Sequence, residues 1–282
     1  LQHQFQLDQM AGQTPARSFR RHLTHGISTM TDHPAPPLVA ADEALRKRLS
    51  EMTDPGFPRP DMHAEDAVIS RRSIRAFRHE PVPDALMRRI LEAARWAPSG
   101  SNIQPWKIHV LNGDSRQRYT DAMLAAERSG EASEMEYHYY APDWREPFLS
   151  RRRACGYGLY GAMGVARDDK ASRHDAYIGN FKFFGAATGL LFWIPSDLEH
   201  GSWLDYGTFI QSLSMAARGW GLSTIAQGAL GEYPHVAHQM FGIGDEYTLV
   251  GGMSIGWPDH DAPVNLFQPE RLNIHDFTTW LD

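Results

Sequence analysis

Residues 71–111, RRSIRAFRHEPVPDALMRRILEAARWAPSGSNIQPWKIHVL, carry the reading of the whole chain. Their middle predicts a helix. Between Asp84 and Ala94, Leu86, Met87, Ile90, Leu91 and Ala94 recur on one face, with Arg88, Arg89 and Glu92 opposite. Pro98 and Gly100 are expected to stop it. Trp106 to Leu111 then alternates as a strand, with Trp106, Ile108 and Val110 on one side and Lys107 and His109 on the other. Two polar segments flank this helix. The first, Arg71-Arg72-Ser73-Ile74-Arg75, is dense in phosphate-type donors, because guanidinium forks bind phosphate bidentately and a serine hydroxyl adds another donor. A solvated basic helix end would look the same. The second, PSGSNIQPW at 98–106, is a helix stop and turn. Such a turn also offers N–H groups and amides to the edge of a planar heterocycle.

Working outward, Ala64 to Ser70 predicts a short helix, and Asp114 stands where it can cap the helix after the strand. Residues 130–170, rich in Tyr, Glu and Arg, predict helices with a mobile loop. Ala186 to Pro195 contains the apolar strand GLLFWIP. Asp205 to Arg218 predicts a helix with Phe209, Leu213, Ala216 and Ala217 inward. Leu222 to Ala229 and Tyr247 to Ile255 read as strands. Helices and strands mix without βαβ alternation, so the fold class is α+β, with helices around a modest sheet.

The chain has 282 residues, 42% hydrophobic and 22% charged, and no apolar run long enough to span a membrane. A net charge of −6 disfavours nucleic acid, which asks for a broad basic surface. Cys155 is the only cysteine, which excludes an internal disulfide, a CxxC pair and a multi-cysteine zinc site; a small buried residue is its expected role. A reducing, cytoplasmic setting fits. Residues 1–61 are expected to form a largely flexible extension, with proline clusters, a short helix at Asp42 to Glu51 and Met30 as a candidate natural start. The Arg-rich, acid-poor beginning also resembles an organellar transit segment, although a tag or tail is the plainer reading. Residues 62–282 form the folded domain.

Three attractive motifs lack their context. Gly156-Tyr-Gly158-Leu-Tyr-Gly161 spells GxGxxG, but RRRAC precedes it instead of an apolar strand, so close helix packing through small residues is expected. Gly252-Met-Ser254-Ile-Gly256 spells GxSxG, yet Pro258 follows where a nucleophile elbow needs a helix. His235 and His238 lack a third metal ligand and read as a solvated helix face.

RRSIRAF and PSGSNIQPW, followed in order by GSWLDYGTFIQSLSMAARGWGLSTIAQGAL at 201–230 and by LVGGMSIGWPDHDAPVN at 249–265 with the later Glu270-Arg271, resemble the nitroreductase family over residues 63–282. The nitrobenzoate-reductase branch is the most similar, through FFGA at 183–186, GSWLD at 201–205 and the late ER pair. The resemblance implies helices around a mainly antiparallel sheet, in an interlocked homodimer holding two FMN molecules at its interface. It implies that Arg71, Arg72 and Ser73 hold the phosphate and ribityl end, completed by Arg271. Arg75 faces flavin N1 and O2. Pro98, Ser99 and Asn102 approach from the partner copy, and the backbone of Ala226, Gln227 and Gly228 contacts N5. NADH or NADPH is the implied electron donor, and a small nitroaromatic, quinone or similar electron-poor molecule the acceptor. The flavin carries the chemistry by ping-pong hydride transfer, so no obligatory catalytic acid, base, nucleophile or metal is expected. Reductive dehalogenation, oxygen-dependent flavin fragmentation and flavin binding without catalysis are the alternatives. Trp144, Tyr139 and Trp203 are candidates for the acceptor pocket, although core positions are the more ordinary reading for such rings. The chain departs from the branch at Gly179-Asn180-Phe181, where an arginine usually precedes the asparagine, and at Leu266-Phe267-Gln268, where RFR is usual.

Overall fold

The computed structural model describes residues 61–281 together with Glu43, Lys47, Glu51, Met52 and Gly56. Of the helix expected at 42–51, Glu43, Lys47 and Glu51 are helical; the remainder of the 1–61 extension, Asp61, Met52 and Gly56 aside, lies outside the described residues.

A four-stranded antiparallel sheet of order β1-β2-β4-β3 forms the centre, built from β1 (Lys107–Asn112), β2 (Thr188–Pro195), β3 (Ser223–Gln227) and β4 (Tyr247–Gly256). Helices cover both faces. On one side lie α2 (Asp84–Ala94) and α6 (His200–Arg218), contributing Leu86, Ile90, Tyr206, Phe209 and Leu213 to a core with Leu190, Phe192 and Ile194 of β2. On the other lie α3 (Gly113–Ser129) and α7 (Pro234–Phe241), whose Tyr119, Met123 and Ala237 pack with Leu191 and Trp193 of the same strand. Period-2 alternation thus divides β2 between two dry cores, which is why GLLFWIP is apolar throughout. The remaining helices are α1 (Ala64–Ser70), α4 (Phe148–Ala162), α5 (Lys170–Ile178) and α8 (Pro263–Leu266). Among the described residues no helix is long and apolar enough to cross a membrane.

The expected α+β architecture is present, and α1 and α2 keep their predicted bounds. Several details differ. The expected end of α2 at Ala94 is made by Arg95 to Ala97, which already close a turn, and not by Pro98 and Gly100. Asp114 is not the cap of α3: Asn112 is, its N–H donating to Ser115 Oγ at 3.0 Å. Helix α6 begins at His200 rather than Asp205. In β1 burial departs from the expected alternation: Val110, on the side expected to be apolar, is exposed, whereas on the other side Trp193 Nε1 donates to His109 Nδ1 at 2.9 Å, His109 stacks on Phe241, and Leu111 is buried.

The three decoy motifs resolve structurally. GxGxxG lies inside α4, where a Cβ on Gly158 would meet the Phe267 ring at 2.5 Å, so the glycine is there for close packing. GxSxG lies inside β4, where Ser254 is fully buried and donates to Gln227. His238 is not on a solvated face: its two ring nitrogens face Ile243 O at 2.9 Å and Glu136 at 3.1 Å.

Candidate active site

The arginine segment is positioned by the sheet edge. After α1 the chain runs beside β3, Ser73 pairing in parallel with Thr224 and Ile74 N–H donating to Thr224 O at 3.3 Å. Phe77 then bridges to Pro258, and Arg78 N–H donates to the Trp257 carbonyl at 2.9 Å. An extended chain sends neighbouring side chains to opposite sides. Ile74 accordingly enters the core, while Arg71, Ser73 and Arg75 open onto a common cleft of about 530 Å³. Ser73 and Ile74 thus lie beside Thr224, and further along β3 the side chain of Ala226 is exposed. The structure thus brings together two groups that are far apart in sequence.

Asn265 fixes this stretch. It is 4% exposed, and its Oδ1 accepts from Arg75 N–H at 2.8 Å. Its Nδ2 donates to Ala76 O at 2.8 Å and Asp259 O at 2.7 Å, and its own carbonyl accepts from the Arg72 guanidinium at 3.0 Å. Buried polar groups need their partners, so one asparagine at the N-terminal turn of α8 locks the backbone that aims Arg75.

The cleft is cationic without compensation. Arg71, Arg72, Ser73, Arg75 and Arg271 all line it, with Gln211 of α6, Phe267, Gln268 and Cys155. No ion pair among the described residues involves any of its arginines. Burial first, and then the neighbouring Arg271 charge, hold the Arg71 guanidinium below its ordinary range; burial does the same to Arg75. Arginine stays protonated regardless. The shift therefore expresses repulsion and lost hydration that a bound anion would relieve. Arg271 donates to the carbonyls of Pro269 and Glu270 at 3.0 and 3.1 Å, which steadies it at the mouth.

The 98–106 turn stands elsewhere. It does not line the cleft; it packs on the N-terminal half of α6, where Gly100 N–H donates to Asp205 at 2.9 Å and Thr208 Oγ1 donates to Pro98 O at 2.9 Å. Ser99 Oγ accepts from Gln104 N–H at 3.0 Å. Ser101, Asn102 and Gln104 are left-handed, at φ of 50°, 57° and 51°, a conformation that non-glycine residues adopt only under local constraint. Pro98 and Asn102 are exposed and Ser99 half-buried.

A band of aromatic rings closes the Gly228 end. Ring centroids run Trp203–Tyr137 at 4.5 Å, Tyr137–Tyr139 at 6.2 Å, Tyr139–Tyr140 at 4.6 Å and Tyr140–Trp144 at 5.4 Å. Tyr139 lies over Gly228, where an added Cβ would meet its ring at 3.0 Å. The band is tied down by Tyr137 Oη, which donates to Val250 O at 2.6 Å, and by Glu136, which accepts from Leu249 N–H at 2.7 Å. Tyr139 is exposed and Trp144 half-buried, so the core reading does not hold for them, whereas half-buried Trp203 packs against the core between α2, α6 and β2.

Gln227 turns inward. Its amide donates to Asn180 O at 3.0 Å and accepts from Ser254, leaving only its backbone to the site. Gly179, one of the departures from the branch, leaves no room for a side chain, because a Cβ would stand 3.0 Å from the Ala176 carbonyl. The other departure, Phe267-Gln268, lies on the arginine cleft itself. Cys155, expected to be buried, is exposed and lines the cleft. Asn265, Gln211 and Asp205 were not singled out from sequence. Asn265 did carry a signal, an amide held between Val264 and Leu266 at a proline-started helical turn.

The profile of the Nitroreductase family matches residues 68–257. A chloronitrobenzene nitroreductase of Comamonas testosteroni is 35% identical over 218 residues, spanning 77% of this chain and 96% of its own. A 4-nitrobenzoate reductase of Pseudomonas putida is 36% identical over 217 residues, 77% of this chain and 95% of its own. Among solved structures, the FMN and NADPH-dependent nitroreductase NfnB from sphigopyxis sp. strain HMH superposes with a TM-score of 0.76 at 34% identity, covering 78% of this chain and all of that one (100%).

Proposed function

This chain belongs to the nitroreductase family, and on that premise we propose that it is an FMN-dependent NAD(P)H oxidoreductase, working as a homodimer, that reduces nitroaromatics, quinones or similar electron-poor acceptors. One observation carries the reading. Arg71, Ser73, Arg75 and Arg271 share a cleft, these arginines have no carboxylate partner among the described residues, and Ser73 is bridged to Thr224 on β3. The relatives act, by name, on nitro compounds, and the solved neighbour is FMN and NADPH-dependent.

The residues fit a phosphorylated planar cofactor. Arg71 and Arg271 repel each other until a phosphate sits with them, and Arg72 and Ser73 add donors. FMN, when bound, supplies the two-electron chemistry, accepting hydride from NAD(P)H and passing the electrons on to the acceptor. Arg75 stands ready to stabilise negative charge on the pyrimidine edge of the ring, with its backbone fixed by Asn265. The backbone of Ala226 to Gly228 would offer its N–H groups to the ring. Pro98, Ser99 and Asn102 reach the ring from a second copy, which agrees with a turn that is exposed and held away from its own cleft. Exposed apolar side chains such as Leu204, Phe277, Trp280 and Leu281 suit burial against that copy.

The test is an absorbance spectrum of the purified, FMN-reconstituted protein, followed by anaerobic NADH or NADPH. The expected result is a flavin spectrum that bleaches and returns when a nitroarene or quinone is added. Steady-state rates should give ping-pong patterns, since donor and acceptor take turns in one place. A colourless protein, or a flavin that neither nicotinamide reduces, would contradict the proposal.

A further inference from the structure

We propose that Arg152 is a specificity-determining residue that selects acceptors bearing an anionic group on their aromatic ring; this rests on the reductase reading of the cleft. Arg152 and Cys155 of α4 are spaced i, i+3 and are neighbours on the helix surface. Gly158 packs against Phe267 near the Arg271 end, and Cys155 lines the cleft together with Arg75. At a rise of about 1.5 Å per residue, Arg152 stands roughly 4.5 Å along the helix from Cys155, on the side of Trp144. There its guanidinium lies 5.0 Å from the Trp144 ring centroid. Tyr140 bridges Trp144 to Tyr139, and Tyr139 covers Gly228. Arg152 is thus linked to Gly228, just past the end of β3, through three rings.

The charge at this position is free to act on a ligand. Arg152 takes part in no ion pair among the described residues, and stacking on an indole face leaves its N–H fork available. Glu232, the acid whose charge reaches Tyr140, is already bonded by Tyr177 and Ser133. Burial and the adjacent Tyr139 raise the Tyr140 hydroxyl, so it stays a neutral donor beside the cation at pH 7. An acceptor ring held by Tyr139 and Tyr140, with its reducible group toward Gly228, turns its far edge to Arg152. A carboxylate or phenolate there gains a charge-assisted contact that an amide lacks.

The experiment uses FMN-loaded protein in wild-type form and as Arg152→Gln, Arg152→Lys and Arg151→Gln. Calorimetry gives Kd for benzoate and benzamide; turnover gives kcat/KM for 4-nitrobenzoate and 4-nitrobenzamide. The expected result is a wild-type preference for the carboxylates that falls about tenfold in Arg152→Gln. It should be largely kept in Arg152→Lys, weakened by salt, and unchanged in Arg151→Gln, whose guanidinium faces Phe148 instead. Equal preference in wild type and Arg152→Gln, with the amide still reduced, overturns this assignment alone. A loss confined to NADPH-driven flavin reduction, with NADH unaffected, would move the contact to the donor's extra phosphate and also overturn it. Absence of any NAD(P)H-driven flavin reduction in wild type would instead sink the reductase reading beneath it.

Discussion

Arg75 is aimed by neutral hydrogen bonds and carries no compensating acid. Its backbone N–H is held by Asn265, and its guanidinium reaches only the Ser73 carbonyl at 3.3 Å. A hydrogen bond to a charged group contributes about 1.5–3 kcal/mol. Arg75→Ala should therefore weaken FMN binding by one to two orders of magnitude and slow flavin reduction, as read by flavin fluorescence titration and anaerobic stopped flow. Wild-type reduction rates in the FMN-saturated variant would contradict its role. Asn265→Ala removes the shared partner of three backbone groups. Leaving such buried groups unpaired costs about 1–3 kcal/mol each, with partial relaxation, so denaturant unfolding should show a loss of about 2–4 kcal/mol. The arginines were legible in sequence because guanidinium clusters have few uses. Asn265 was not, because its importance lies in what it touches 189 and 190 residues away.

At the scale of elements, helix α4 separates two kinds of glycine. Gly156 and Gly158 belong to the same motif, yet nothing lies within 4 Å of a Cβ built on Gly156, whereas one on Gly158 enters the Phe267 ring. Gly156→Ala should stabilise the fold by about 0.5–1 kcal/mol through helix propensity. Gly158→Ala should cost about 1–3 kcal/mol by overpacking and weaken FMN binding by pushing Phe267 into the cleft. Chemical denaturation of both variants checks the opposite signs. Helices α1 and α2 were legible from periodicity and breakers alone. Strand β1 was less so: Lys107 and His109 look solvent-facing in sequence, but His109 stacks on Phe241 of α7 and Lys107 lies over the Tyr247 ring, which blunts the polar alternation. The N-terminal turn of α6 was missed because Gly201 and Trp203 interrupt the helical pattern.

Across the whole molecule, the sheet and its two helical layers present two polar features that the proposed function assigns to one shared site. One is the arginine cleft at the β3 edge; the other is the left-handed turn at 98–104, braced by Asp205 and Thr208. Helix α6 serves both, since Gln211 lines the cleft. From sequence the two stretches were expected to meet across two copies of the chain, and in a single copy the 98–106 turn does not line the arginine cleft. Sedimentation analysis should accordingly give a stable dimer. Hydrogen–deuterium exchange with and without FMN tests the central claim most directly. The account predicts that FMN protects residues 71–77, 225–230 and 98–106 together. Flavin binding that protects the first two and leaves the 98–106 turn unchanged would contradict it.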